Sequence, residues 1–537
     1  MAAAAGVAIA LSLPPFGWWP LAIVGLGIFA TLLHRRAPRA RTRALLGAAL
    51  GLGQYAIGLW WVIEFNGAGY VALLLLGMAF TAAAAAAVAS RRWLGVLVGL
   101  PAALMVSDWI RGHFPFGGLP LGGLPLGQAA GPLAPVARLG GPLLVTGVTA
   151  LAGTGLAMMV AHFWSQRPKR EARATAEPTA ATPRHPDTAR ATDEQTTPVP
   201  DTAAVPEESS AAAAARPRSG ASRREAVAGA GALVVVVALV LFGRFGPNGA
   251  GPGPHRTIKV AAVQGGGPRG LNASQVLPGV PFQRQLDATA TIHGPVDLVV
   301  WPEDVVSVGQ PVAQTAEGAM VGQLAVRLHA TVVAGVVEDV GQTQFRNAAV
   351  AWSPTGVIVA RYDKVHRVPF GEYIPARSFF QHIANLSLVP RDAIAGHGPG
   401  LLDTPAGQLG VVISFEVFFE DRARAGINAG GQVLIVPTNA SSYSTSQVPT
   451  QEVAAAQLRA WETGREVLQA APTGYSALID ADGHVLQRTT LGAQQVLIGR
   501  LTLRNGRTVF MRLGDIPFLV LAIIGLAAAS QLARRPG

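Results

Sequence analysis

The chain has 537 residues, 50% of them apolar and only 14% charged, a balance that excludes an ordinary water-soluble protein. It is also too long for a single ordinary domain. The formal net charge of +11 does not point to nucleic acid, because much of the arginine flanks hydrophobic segments, and the absence of cysteine excludes disulfides, thiolate metal sites and thiol catalysis.

Taken in chain order, the first apolar segment is 2–13, whose 12 residues fall short of the roughly 20 needed to span a bilayer. It is followed by Pro14-Pro15 and by no small-residue cleavage site, so a signal peptide fits poorly. Further candidate spans are 17–33, 44–63, 68–90, 92–110, 142–163, 226–242 and 516–533. Positive charge orients them, because Lys and Arg stay on the cytoplasmic side. Five arginines lie between His34 and Arg43; Arg91-Arg92, Arg167, Lys169, Arg170, Arg223-Arg224 and Arg534-Arg535 mark the other basic connections. With eight crossings and the N-terminus inside, every basic connection falls on one side and the long region 243–512 on the other.

Two connections stand out. The loop 111–141 is rich in Gly and Pro yet apolar, which suits a non-helical segment dipping into the outer leaflet with its backbone buried against protein. Asp108 and Arg111 flank its start and are placed to pair, either there or as a plain helix-end ion pair. Residues 165–225 are Pro, Ala, Thr, Glu and Arg with few large apolar side chains, and predict a disordered cytoplasmic linker.

From Thr257 the periodicity changes to short apolar runs alternating with amphipathic ones. Strands are expected at 258–264, 298–301, 331–337, 348–352, 356–362, 409–414, 433–437, 467–471, 476–479 and 496–500. Helices are expected at 282–292, 320–329, 415–425 and 451–463. That alternation argues a layered α/β domain.

Three strand ends carry reactive groups. LVVWPED ends an apolar run with Glu303, behind a Trp-Pro pair that forbids helix at the corner. YDKVHRVPFGEYIP holds Lys364 and Glu372 among Pro369, Gly371 and Pro375. LGVVISFEVFFE places Ser414 where a buried strand meets the next helix, a position that suits a nucleophile and equally a helix cap. A carboxylate, an ammonium and a nucleophile are the parts of an acyl-transfer site: proton acceptor, oxyanion partner and attacking atom. No His/Asp/Glu spacing matches a metal site, so neither metal nor cofactor is expected.

These motifs resemble those of the apolipoprotein N-acyltransferases, the membrane-embedded branch of the nitrilase superfamily. The match rests on WPE at 301–303, K-x-H-x-V-P-F-G-E-Y-I-P from Lys364 to Pro375, the Phe-Glu pair after Ser414, and L-R-A-W-E-T-G-R from Leu458 to Arg465. PPFGWWPL at 14–21 and DWIRG at 108–112 add to it. The chain departs from the family at Ser414, where the family has cysteine. It also departs at Thr438-Asn439-Ala440-Ser441-Ser442-Tyr443, where the family reads S-N-D-A-W-F, and at Gly118-Leu119-Pro120-Leu121, where it reads G-F-P-W.

The resemblance implies a multi-span helical membrane domain carrying an α/β nitrilase-like αββα sandwich. The domains are then transmembrane helices 1–6 in 1–164, the linker 165–225, helix 7 at 226–242, the exported catalytic domain 255–505 and helix 8 at 516–533. It implies N-acylation of a diacylglyceryl-modified apolipoprotein N-terminus with a phospholipid acyl donor, at the extracytoplasmic face of the cell membrane. Glu303, Lys364 and Ser414 take the catalytic roles, Glu372 and Glu416 supporting ones, and His366 a packing role. The alternative is a catalytically impaired paralogue that binds lipoproteins or assists a partner acyltransferase. A membrane-tethered amidase fits the α/β part but leaves the multi-span body unexplained.

Overall fold

The apolar segments fold as helices, since a backbone denied water satisfies its polar groups most simply within one helix. The computed structural model describes residues 1–36, 39–174, 222–267, 276–277, 279–382, 386, 389–439 and 447–534. Helices α1 (Ala2–Ser12), α2 (Pro20–Arg36), α3 (Ala40–Gly58), α4 (Gly67–Ala87), α5 (Trp93–His113), α6 (Ala137–Ala174) and α7 (Arg223–Phe245) precede the first strand. Among the described residues, four helical segments are long and apolar enough to cross a membrane: Gly67–Ala87, Trp93–His113, Ala134–Gln166 and Arg223–Phe245. The short first segment is a helix of only 11 residues. It packs on α3 without intervening side chains: a Cβ on Gly6 would lie 2.0 Å from Leu50 O, and one on Gly53 2.1 Å from Ala3 O. Val234, Val235, Val237 and Leu241 of α7 stay exposed, as a lipid-facing surface requires. The chain is a membrane protein.

Two expectations need correction. Helix α6 continues to Ala174, so the first residues of the stretch expected as linker are helical; residues 175–221 lie outside the described residues. The helix expected at 415–425 is two pieces. A 3₁₀ turn, Ser414–Phe418, precedes an α-helix, Glu420–Asn428, and the extended Phe419 separates them.

The loop after α5 is folded back on the bundle. Arg111 Nη1 donates to Leu119 O and Leu121 O, both at 2.9 Å, while Nη2 pairs with Asp108 at 3.2 Å. Residues Leu124–Gln128 are buried, so the second half of the loop is covered by protein as expected, whereas His113, Phe114, Phe116 and Gly117 in its first half are exposed.

The second half builds two sheets. Its elements in chain order are β1 (Thr257–Gln264), α8 (Val280–Ala290), β2 (Leu298–Val300), β3 (Val306–Val308), α9 (Ala316–Leu328) and β4 (Thr331–Val340). There follow β5 (Gln344–Trp352), β6 (Ile358–Asp363), α10 (Arg377–Phe380), β7 (Asp392–Ala393), β8 (Leu401–Thr404) and β9 (Gly407–Val411). After α11 (Glu420–Asn428) come β10 (Val433–Pro437), α12 (Gln447–Thr463), β11 (Val467–Ala470), β12 (Ala477–Ile479), β13 (Val485–Arg488) and β14 (Gln495–Thr502). The chain then ends in α13 (Val509–Leu513) and the apolar α14 (Ile516–Arg534).

The first sheet runs β14-β1-β2-β4-β5-β6, with β3 added on β4 and β7 on β5; the second runs β13-β12-β11-β10-β9-β8. Side-chain alternation decides what each face meets. On β1, Val260 and Ala262 join the core between the sheets, whereas Ala261 and Val263 pack toward α8 and α9. On β10, Val433 and Ile435 enter the same inter-sheet core, whereas Leu434 and Val436 lie with residues of α12 and of α6. The result is an αββα sandwich whose second helical layer rests on the membrane bundle. Gln447 Nε2 donates to Ile57 O at 2.8 Å across that contact. Arg138 of α6 pairs with Asp482 at 2.6 Å and lies over the Trp461 ring at 4.4 Å.

Candidate active site

The three strand-end motifs seen in the sequence lie at one end of the sandwich, where β2, β6 and β9 stop. Trp301-Pro302 turns the chain out of β2 and sets Glu303 there, 4% exposed. Close approach matters at this corner: a Cβ on Gly335 of β4 would lie 2.4 Å from Glu303 Cα. Lys364 follows β6 directly and is 2% exposed. Its Nζ lies 2.9 Å from Glu303 Oε1 and 2.9 Å from Glu372 Oε1. Asn347 Nδ2, from β5, donates to the same two oxygens at 2.8 and 3.0 Å. Glu372 Oε2 accepts from Val368 N at 2.7 Å, which closes the turn that carries it.

Charge in this cluster is finely opposed. Burial works against the Lys364 ammonium, but the flanking Glu303 and Glu372 carboxylates outweigh it and hold the group charged. Burial pushes Glu303 up from the usual carboxylate range, against the pull of Lys364.

Ser414 stands at the corner after β9 with φ of +50°, a left-handed conformation rare for a residue with a side chain. Glu416, fully buried two residues on, holds that corner. Its Oε2 accepts from Ile413 N at 2.8 Å. Its Oε1 accepts from Val365 N at 2.8 Å, His366 N at 3.0 Å and Tyr362 Oη at 2.8 Å. One carboxylate thus binds the backbone beside Ser414 to the backbone beside Lys364. His366 packs its ring against Phe419 at 4.4 Å, and burial lowers its pKa.

Direct contacts therefore gather Glu303, Lys364 and Glu372, and Glu416 ties them to the Ser414 corner. Among the described residues no hydrogen bond joins the Ser414 side chain to Glu303 or Lys364. The departure at 438–443 is described only at Thr438 and Asn439; Ala440 to Tyr443 lie outside the described residues. Sequence reasoning missed Asn347 and Glu452. Asn347 leaves a signal, a lone amide opening the apolar run of β5. Glu452 leaves little, because an acidic residue early in a helix reads as a favourable charge at the helix N-terminus.

A two-sheet α/β sandwich with a buried Glu–Lys–Glu cluster, seated on apolar helices, defines a membrane-bound enzyme of the carbon–nitrogen hydrolase type. Comparison with known proteins agrees over both parts. The family model for the apolipoprotein N-acyltransferase N-terminal domain matches residues 5–155, and that for carbon-nitrogen hydrolase matches residues 259–509. An apolipoprotein N-acyltransferase of Mycolicibacterium smegmatis is 29% identical over 97% of this chain and 83% of its own length. One of Pseudomonas putida is 26% identical over 98% of this chain and 95% of its own. Among solved structures, Saccharomyces cerevisiae Nit3, a member of branch 10 of the nitrilase superfamily, is 18% identical, covering 46% of this chain and 90% of its own, with a TM-score of 0.35. A carbon-nitrogen hydrolase from Helicobacter pylori is 16% identical, covering 49% of this chain and 95% of its own, with a TM-score of 0.36. The chain belongs to the apolipoprotein N-acyltransferase family.

Proposed function

We propose that the protein moves an acyl chain from a phospholipid, through an oxygen ester on Ser414, to the free α-amino group of a diacylglyceryl-modified lipoprotein N-terminus. In the first half, Ser414 Oγ attacks the donor ester carbonyl, its proton leaves with the help of a carboxylate, and the lysophospholipid departs as an alcohol. In the second half the acceptor amine attacks the Ser414 ester, an amide forms, and Oγ regains a proton. Glu303 is assigned as base, Lys364 as the cation that meets the developing oxyanion, and Glu372 and Glu416 as the groups that orient them.

The observation that carries this reading is the buried Lys364 ammonium, clamped 2.9 Å from Glu303 and 2.9 Å from Glu372 beside the Ser414 corner. A serine is a weaker nucleophile than a thiol near neutral pH and needs stronger activation. Serine–lysine sites on other folds meet that need.

The basic connections all fall on one side of eight crossings, which supports a multi-pass arrangement with the α/β domain on the extracytoplasmic face of the cell membrane. The donor then reaches the site from the bilayer. Intact-mass analysis of protein purified with lipid tests the whole scheme. An acyl adduct on the wild type, absent from Ser414→Ala, is the expected result. A wild type that carries no acyl group and acylates no lipoprotein peptide overturns the reading and leaves the impaired paralogue.

A further inference from the structure

Glu452 lies on the first turns of α12 and is 3% exposed. Its Oε1 accepts from Thr438 Oγ1, at the end of β10, at 2.7 Å. Its Oε2 has no full hydrogen bond among the described residues. The 3₁₀ turn that carries the Ser414 hydroxyl packs against α12, and that hydroxyl is among the groups that lower the Glu452 pKa. Catalytic hydrogen bonds are often long in the free enzyme and tighten with substrate bound. Glu303, by contrast, gives its Oε1 to both Lys364 and Asn347.

We propose that the Glu452 carboxyl, in place of Glu303, exchanges a proton with the Ser414 hydroxyl and is the acid–base partner of that nucleophile, which leaves Glu303 to hold the Lys364 ammonium in place. The assignment rests on Ser414 being the attacking atom. The groups facing Glu452 are Thr438 from β10, Glu303 after β2, Lys364 after β6 and Ser414 after β9. Burial, aided by Glu303, pushes its carboxyl up to about 8, against the pull of Thr438, Lys364 and Ser414. At neutral pH about a tenth of the molecules then hold it as a carboxylate, poised near the operating pH as an acid–base group should be.

The proton balance closes over both halves of the reaction. The Glu452 carboxylate takes the Oγ proton as the Oγ–C bond forms, and returns it to the alkoxide of the lysophospholipid as the donor C–O bond breaks. It then takes a proton from the attacking amine as the N–C bond forms, and returns it to Ser414 Oγ as the ester C–O bond breaks. Ester and amine become amide and alcohol, with no other reactant.

The test is single-turnover formation of the Ser414 adduct by the full-length protein in phospholipid vesicles, followed by mass from pH 6 to pH 9.5. The wild-type rate should climb through about pH 8, and a flat profile there overturns the proposal. Glu452→Gln, which keeps an acceptor for Thr438, should slow adduct formation on the order of 100-fold and remove that limb. In a Ser414→Cys background, where the thiol ionises with less help, the same substitution should cost less than about 10-fold. Equal losses in both backgrounds mark a purely structural role and overturn the assignment, as does an unchanged rate and profile in Glu452→Gln. Absence of any wild-type adduct instead removes the nucleophile on which the assignment stands.

Discussion

Lys364 Nζ lies 2.9 Å from Glu303 Oε1, and the two side chains are 2% and 6% exposed. A pair so withdrawn from water stands or falls together, because removing one partner leaves the other charged and desolvated. Glu303→Gln and Lys364→Met should each lower stability by about 3–5 kcal/mol, less for Gln because it keeps an acceptor for Asn347. Both should also abolish acyl transfer, and the double variant should lose little more than either single one. Denaturant melts and adduct formation on the same preparations check this; additive losses would refute the unit.

Glu416 spends four hydrogen bonds on fixing backbone and the Tyr362 hydroxyl. Glu416→Gln can replace only some of them, because an amide nitrogen cannot accept from Ile413 N. A stability loss of about 1–3 kcal/mol is expected. With the Ser414 corner loosened, kcat should fall and the Ser414→Ala background should show the stability loss unchanged. A Glu416→Gln protein with wild-type turnover would sink the positioning role.

The raised Glu452 carboxyl has a stability consequence with a definite sign. Its folded-state value of about 8 lies above the ordinary carboxylate range, so the folded protein holds a proton that the unfolded chain has released. Stability contributed there is full at acid pH and falls as pH rises toward 8. Glu452→Gln removes this dependence, so its Tm relative to wild type should increase from pH 5 to pH 8. Thermal melts in detergent at those two values measure it; a difference that shrinks with pH contradicts the assignment.

Topology is tested apart from chemistry. A reporter fused after Gly253 should be exported, and one fused at Pro198 should stay in the cytoplasm. Both on one side would refute an even number of crossings between the N-terminus and the linker with α7 as the crossing that follows.

The sequence by itself determined the layered α/β class, because short uninterrupted apolar runs rich in β-branched residues, such as Val433 to Val436, suit strands covered on both faces. It also marked the strand ends, because Trp301-Pro302 and the Pro/Gly punctuation around Glu372 rule out helix whatever surrounds them. The helical segments of the membrane body were legible in the same way, from apolar length and flanking arginine. What it could not carry was any contact made across long separations. The helix expected after Ser414 is broken at Phe419, and the Glu416 side chain bonds Val365, 51 residues earlier in the chain, rather than lying on a regular helical face. Asn347 joins the Glu303–Lys364 pair only because β4 and β5 lie side by side. Glu452 reads as a helix-start charge until the packing of α12 on the second sheet buries it against Thr438 and Ser414. Burial and pairing set the charge states of Glu303, Lys364 and Glu452, and both are properties of the packed sandwich, which local spacing does not encode.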